Sequence, residues 1–298
     1  MNNLIASPSG LLELLTALPS TPDNTVPPIL FLHGAYCSAS CYKAFLPLFA
    51  SRGIAAYALS LRGHGASWKA SWFTIMFLTT LDQFRDDVEC AIAHIKERHT
   101  RMPVLVGHSF GGGVLQYLLC SKAVRVPGLV LIAAAPLTGG GKDIMANWQR
   151  VEAPGGYPWP WSPRSQLDTV EQVRNAFFSP ECPGEVIEAW LRESKTQYES
   201  ARAGLSVLWP FGTAQGVLSA LDGLPETGRK VLCISGERDL LVTTKIVRAN
   251  ADAYRAADNG ENVITEAPIS TSGHHLMLDI ARDECASVII NWLKGLAV

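Results

Sequence analysis

Short, uninterrupted apolar runs alternate along this chain with longer stretches whose apolar residues recur at helical spacing, and that rhythm leaves few folds open. The runs fall at residues 29–32, 54–59, 103–106, 129–134 and 231–235. A strand lacks polar alternation when helices cover both faces of its sheet, because neither face then meets water. Residues 42–52, 81–99, 110–120 and 243–257 read as helices between them. In 81–99, Phe84, Val88, Ala91, Ile92 and Ile95 share one face, with acids early and basic residues late, the order that suits the helix dipole. Strand and helix in alternation imply an α/β fold, a doubly wound, mostly parallel sheet with right-handed crossovers. An opening hairpin is expected around Ser7-Pro8-Ser9-Gly10, a last strand at 262–266 and a closing helix at 278–293.

The rhythm stops between residues 137 and 216. Helical patches at 170–178 and 185–206 and the run Pro154-Gly155-Gly156-Tyr157-Pro158-Trp159-Pro160-Trp161 replace it. The economical division is a core of residues 1–136 and 217–298 with a helical insertion, 137–216, at one end of the sheet, where ligands bind in such folds. This stretch carries Trp148, Trp159, Trp161, Trp190 and Trp209. An aromatic lid buries an apolar substrate and excludes water. Trp148, Trp159, Trp161 and Trp209 are accordingly candidate pocket residues, as is Tyr36. The plainer reading of each ring is that it packs the insertion onto the sheet.

Composition narrows the function class. At 298 residues, 48% hydrophobic and 17% charged, the chain has material for one large core. A net charge of -2 gives no reason to expect nucleic acid or an anionic membrane as partner. No apolar run is long enough to span a bilayer, and the N-terminus lacks the basic and apolar regions of a secretory signal. The seven cysteines are scattered, with no zinc-ligand spacing, so free thiols in the cytoplasm are expected.

The chemistry concentrates on Gly107-His108-Ser109-Phe110-Gly111, between an expected strand and an expected helix. That context turns a G-x-S-x-G pattern into a nucleophile elbow; without it the same residues make an ordinary glycine-rich turn. A serine there needs a histidine base held by a carboxylate, in the order serine, acid, histidine. The histidines downstream of Ser109 are His274 and His275, in the loop after the last expected strand. Asp239, just past the strand at 231–235, is the natural acid; Glu237 is the fallback. Asp239 also suits a helix N-cap, a role compatible with catalysis. His33 and His64 each precede a glycine at a strand end and read as turn-stabilising residues more readily than as substrate contacts.

These motifs resemble, in order, those of the α/β-hydrolase superfamily, close to its esterase-like members. They are His33-Gly34, Leu61-Arg62-Gly63-His64-Gly65-Ala66-Ser67, the elbow, Gly236-Glu237-Arg238-Asp239, and Gly273-His274 followed by Asp279. The resemblance implies an eight-stranded, lidded fold, Ser109, Asp239 and His274 as catalytic residues, and an oxyanion hole from the backbone N–H groups of Ala35 and Phe110. It favours His274 over His275 and calls for no metal or organic cofactor. The implied activity is hydrolysis of an ester or thioester of a hydrophobic small molecule. Carbon–carbon bond hydrolysis, lyase or cyclisation chemistry on the same fold, and a non-hydrolytic ligand receptor, are the alternatives. One position departs from the pattern. Many relatives carry Asp where this chain has Ser60, which puts the local hydrogen bonding, and not the activity, in question.

Overall fold

The computed structural model describes residues 2–121, 123–151 and 167–298. Its eight strands form one sheet: β1 (Asn2–Ser7), β2 (Gly10–Ala17), β3 (Ile29–Leu32), β4 (Ala56–Leu59), β5 (Val104–His108), β6 (Leu129–Ile132), β7 (Val231–Gly236) and β8 (Ile264–Ile269). The order across the sheet is β1-β2-β4-β3-β5-β6-β7-β8. β2 runs antiparallel to both β1 and β4, and every other pair is parallel. The apolar runs behave as the sequence requires: every residue of β3, β4, β5, β6 and β7 is buried. The sheet is the eight-stranded α/β-hydrolase arrangement.

The helices are α1 (Leu46–Ala50), α2 (Leu81–Lys96), α3 (Phe110–Cys120), α4 (Gly141–Arg150), α5 (Val170–Phe177), α6 (Gly184–Ser194), α7 (Ala201–Leu208), α8 (Ala214–Leu218), α9 (Thr244–Ala257) and α10 (Arg282–Leu293). α2 starts where a capping box starts it: Thr80 Oγ1 accepts from Gln83 N–H, and Gln83 Oε1 accepts from Thr80 N–H. The expected helix at 42–52 is a 3-10 turn, Ala39–Tyr42, and the short α1, which starts at Leu46 with Pro47 in its first turn. The expected helix at 185–206 is two helices. Ser200 breaks it by capping α7 through Ala203 N–H while donating to Thr79 O at 2.7 Å. The expected edge of the insertion at residue 216 falls inside α8, which packs on α3 and α9.

β3 sits at the switch point, with β4 on one side and β5 on the other. The loops after β3 and β5 therefore open into one crevice at the carboxyl ends of the strands, where a ligand site forms in such sheets. Among the described residues no helix is long and apolar enough to cross a membrane, and all seven cysteines are free thiols.

Candidate active site

β5 delivers the chain to Ser109 and α3 takes it away one residue later. Between them Ser109 adopts φ of 51° and ψ of -121°. A positive φ on a non-glycine residue costs about 1–3 kcal/mol and persists only where its surroundings hold it. Here they do: Ser109 N–H donates to Ile132 O at 3.0 Å, and Ser109 O accepts from Gly112 N–H and from Ala135 N–H. The glycines are steric necessities. A methyl group on Gly107 would lie 2.5 Å from the Gly112 Cα, and one on Gly34 would lie 2.9 Å from the Ser109 Cβ. The loop after β3 thus packs directly against the elbow. Phe110 is the first residue of α3, so its N–H has no acceptor within the helix.

Asp239 is buried just beyond β7 and uses its two oxygens differently. Oδ1 accepts from Leu241 N–H at 2.8 Å and from Val242 N–H at 2.9 Å, which turns the chain toward α9. Oδ2 lies 2.7 Å from His274 Nδ1. Asp239 is not the helix N-cap the sequence suggested, because α9 begins at Thr244 with Thr243 as its cap; its carboxylate closes the preceding turn and contacts the histidine. Glu237 is exposed at the surface. Because the carboxylate only accepts, the His274 proton sits on Nδ1 and leaves Nε2 with a lone pair.

His108, the neighbour of Ser109, reaches the same loop. Its Nε2 donates to His274 O at 2.9 Å, and the two rings lie 4.8 Å apart. The elbow and the histidine loop are thereby tied together across 166 residues of sequence. Burial, reinforced by the neighbouring His274, carries the His108 pKa well below the usual imidazole value. His275 points elsewhere. Its ring lies among Phe177, Phe178 and Trp190, and neither nitrogen has a hydrogen-bond partner among the described residues. Burial carries its pKa well down also.

The aromatic candidates are spread out. Phe177 stacks on His274 at 5.7 Å, and Trp148 lies against Phe177 at 5.8 Å. Tyr36, in the loop after β3, is partly buried and packs on the core. Trp209, at the end of α7, is 69% exposed. Trp159 and Trp161 lie outside the described residues. His33 and His64 both serve their turns. His33 Nδ1 donates to Gly34 O and Nε2 accepts from Leu61 N–H, while His64 Nδ1 donates to Arg62 O.

The sequence pattern of the alpha/beta hydrolase family matches residues 29–288. The chain belongs to that family. A pyrethroid hydrolase of Sphingobium wenxiniae is 31% identical over 110 residues, 37% of this chain and 36% of that protein, so the match spans about a third of the relative. A monoacylglycerol lipase of Mycolicibacterium smegmatis is 22% identical over 246 residues, 80% of this chain and 79% of that one. In fold, the hydrolase is similar to a meta-cleavage product hydrolase of Pseudomonas fluorescens, with a TM-score of 0.67 at 15% identity over 98% of this chain and 97% of that one. It is an enzyme of the α/β-hydrolase type.

Two further acids hold the loops of the site. Glu13, on β2, supplies the carboxylate missing at position 60: its Oε2 accepts from Ser60 Oγ at 2.7 Å and from Ala66 N–H at 3.0 Å. Ser60 Oγ in turn accepts from Ala39 N–H. The available signal was an acid inside the apolar run Leu11-Leu12-Glu13-Leu14-Leu15. Asp279 accepts from Gly273 N–H, Ser179 N–H and Ser179 Oγ, and so staples the His274 loop to the chain after α5.

Proposed function

We propose that the hydrolase cleaves an ester or thioester of a hydrophobic small molecule through an acyl–Ser109 intermediate. The observation that carries this reading is the 2.7 Å contact between His274 Nδ1 and Asp239 Oδ2, in a loop bound to a serine elbow. Ser109 Oγ attacks the carbonyl carbon and passes its proton to His274 Nε2. The new oxyanion is received by the backbone N–H groups of Ala35 and Phe110, fixed before the substrate arrives. Collapse expels the alcohol or thiol, which takes the proton from Nε2. Water then repeats the sequence on the acyl-enzyme and frees the acid. Asp239 holds the imidazole tautomer and balances its charge when it is protonated.

Residues 137–216 act as a lid in this reading, with Phe177 on His274 and Trp148 against Phe177 as part of an apolar wall to which Tyr36 also contributes. The test is a panel of p-nitrophenyl esters together with a fluorophosphonate probe. Wild type is expected to be labelled and to prefer bulky apolar acyl groups over acetate, and Ser109→Ala to lose labelling and at least about 10³-fold in kcat. A folded wild type that resists the probe would sink the acyl-enzyme. Turnover of a carbon–carbon substrate that survives Ser109→Ala would replace it.

A further inference from the structure

Ala35 and Tyr36 carry successive backbone N–H groups, and the second is held by a carboxylate from the stretch between α6 and α7. Glu199 Oε1 accepts a hydrogen bond from Tyr36 N–H, and the same oxygen lies 2.9 Å from His64 Nε2. The Glu199 side chain is 14% exposed and that of His64 1%. His64 Nδ1 lies 2.9 Å from Arg62 O, which only accepts. Both ring nitrogens therefore face oxygen acceptors, and the His64–Glu199 hydrogen bond joins two side chains that are both largely buried.

Residues around Glu199 grip the same two loops. Gln197 Oε1 accepts from Gly65 N–H at 2.7 Å, and Tyr198 N–H donates to Gly63 O. Ser38 Oγ donates to Glu193 Oε1, and Trp190 Nε1–H to Cys37 Sγ. Tyr36 itself takes φ of 60°, strained for an L residue, so an acceptor at its N–H does more than fill a vacancy.

We propose that Glu199 is a positioning residue of the oxyanion hole, with His64 as its hydrogen-bond partner. The inference rests on the acyl-transfer reading of Ser109. The peptide planes bearing Ala35 N–H and Tyr36 N–H hinge at the Ala35 Cα. Glu199 pins the second plane, and Gly34 packed on Ser109 limits the backbone before the first. Ala35 N–H then cannot swing from the position the oxyanion takes. His64 Nε2 holds the same carboxylate oxygen from its other side, which fixes Glu199 in place under Tyr36 N–H.

The experiment compares wild type, Ser109→Ala, Glu199→Ala, Glu199→Gln, His64→Gln and the double variant His64→Gln/Glu199→Gln. Each is assayed for kcat and KM on a p-nitrophenyl ester, for thermal melting, and for deuterium exchange of the peptide spanning residues 33–42. Glu199→Ala is expected to lose about 30-fold in kcat, with KM within about 3-fold and faster exchange in the loop. Glu199→Gln keeps an acceptor for Tyr36 N–H and is expected to stay within about 5-fold of wild type, its loop protected. His64→Gln leaves the carboxylate unpaired and is expected to fall below the double variant.

A folded Glu199→Ala with kcat within about 2-fold of wild type, or with wild-type loop exchange, overturns the proposal. So does an equal loss in the Ala and Gln variants. Failure of the acyl-transfer reading shows separately, as a wild type without ester turnover or turnover unchanged in Ser109→Ala. The exchange measurement then decides on its own whether Glu199 holds the loop.

Discussion

At the scale of single residues, Asp239 does most with least. Its Oδ1 is committed to the amides of Leu241 and Val242, so Oδ2 is presented to His274 at a fixed angle. Asn in its place would keep a turn-capping oxygen but offer an N–H₂ to Nδ1, and the imidazole would take the wrong tautomer. Asp239→Asn is therefore expected to lower kcat on an ester by about 10²–10⁴-fold with little change in KM. Glu237→Gln, altering an exposed acid, should be nearly silent. Steady-state kinetics on both decide the point: a loss under about 10-fold in Asp239→Asn, or a matching loss in Glu237→Gln, would displace Asp239 from the role.

At the scale of elements, the parts that obey local rules were legible and the parts fixed by distant contacts were not. α3 runs over residues 110–120 as the apolar pattern implies, because Ser109 and the glycines after it leave the helix nowhere else to begin. β8 is displaced, covering Ile264–Ile269 instead of 262–266. It is the last strand of the sheet and only partly buried, so Glu266 and Pro268 fit within it and blur the apolar run. Helical periodicity carries straight through residues 195–200, yet the chain leaves the helix there to reach the loops after β3 and β4. Glu199 lies in that break, so nothing local in the sequence marked it. Ser109, His274 and Asp239 were legible because turn chemistry and strand ends place them. Glu13 and Asp279 act through partners remote in sequence, and Phe177 meets His274 only once the chain has folded.

At the scale of the whole molecule, three histidines are held neutral in the interior. Burial carries His33, His108 and His275 well below the ordinary imidazole value, with the charge of His64 adding to the effect at His33. In the unfolded chain all three titrate near 6.5. Below about that pH the unfolded state binds protons that the native state refuses, so their stabilisation is complete above it and drains away as pH falls. Each contributes up to about 1.4 kcal/mol per pH unit. Urea midpoints are expected to hold nearly level down to about pH 7 and then to drop toward pH 5, more shallowly in His275→Phe, which removes one of the three rings. A flat profile, or an unchanged slope in that variant, would mean that these rings take up protons in the folded protein.

The carboxylate that reaches Ser60 from β2 ties the order in which this sequence could have changed to the charge a buried site tolerates. Asp at position 60 and Glu at position 13 would set two like charges where one now accepts from Ser60 Oγ and Ala66 N–H. Asp at position 60 is therefore expected to be tolerated only where Glu13 is neutralised. Ser60→Asp is expected to cost about 2 kcal/mol or more, read as a lower melting temperature, and Glu13→Gln in the same chain should recover most of it. Additive losses in the double variant would show the two positions to be independent. The acid that the family resemblance leads one to expect at position 60 is thus a poor choice for stability here, because Glu13 already brings a carboxylate to the same spot.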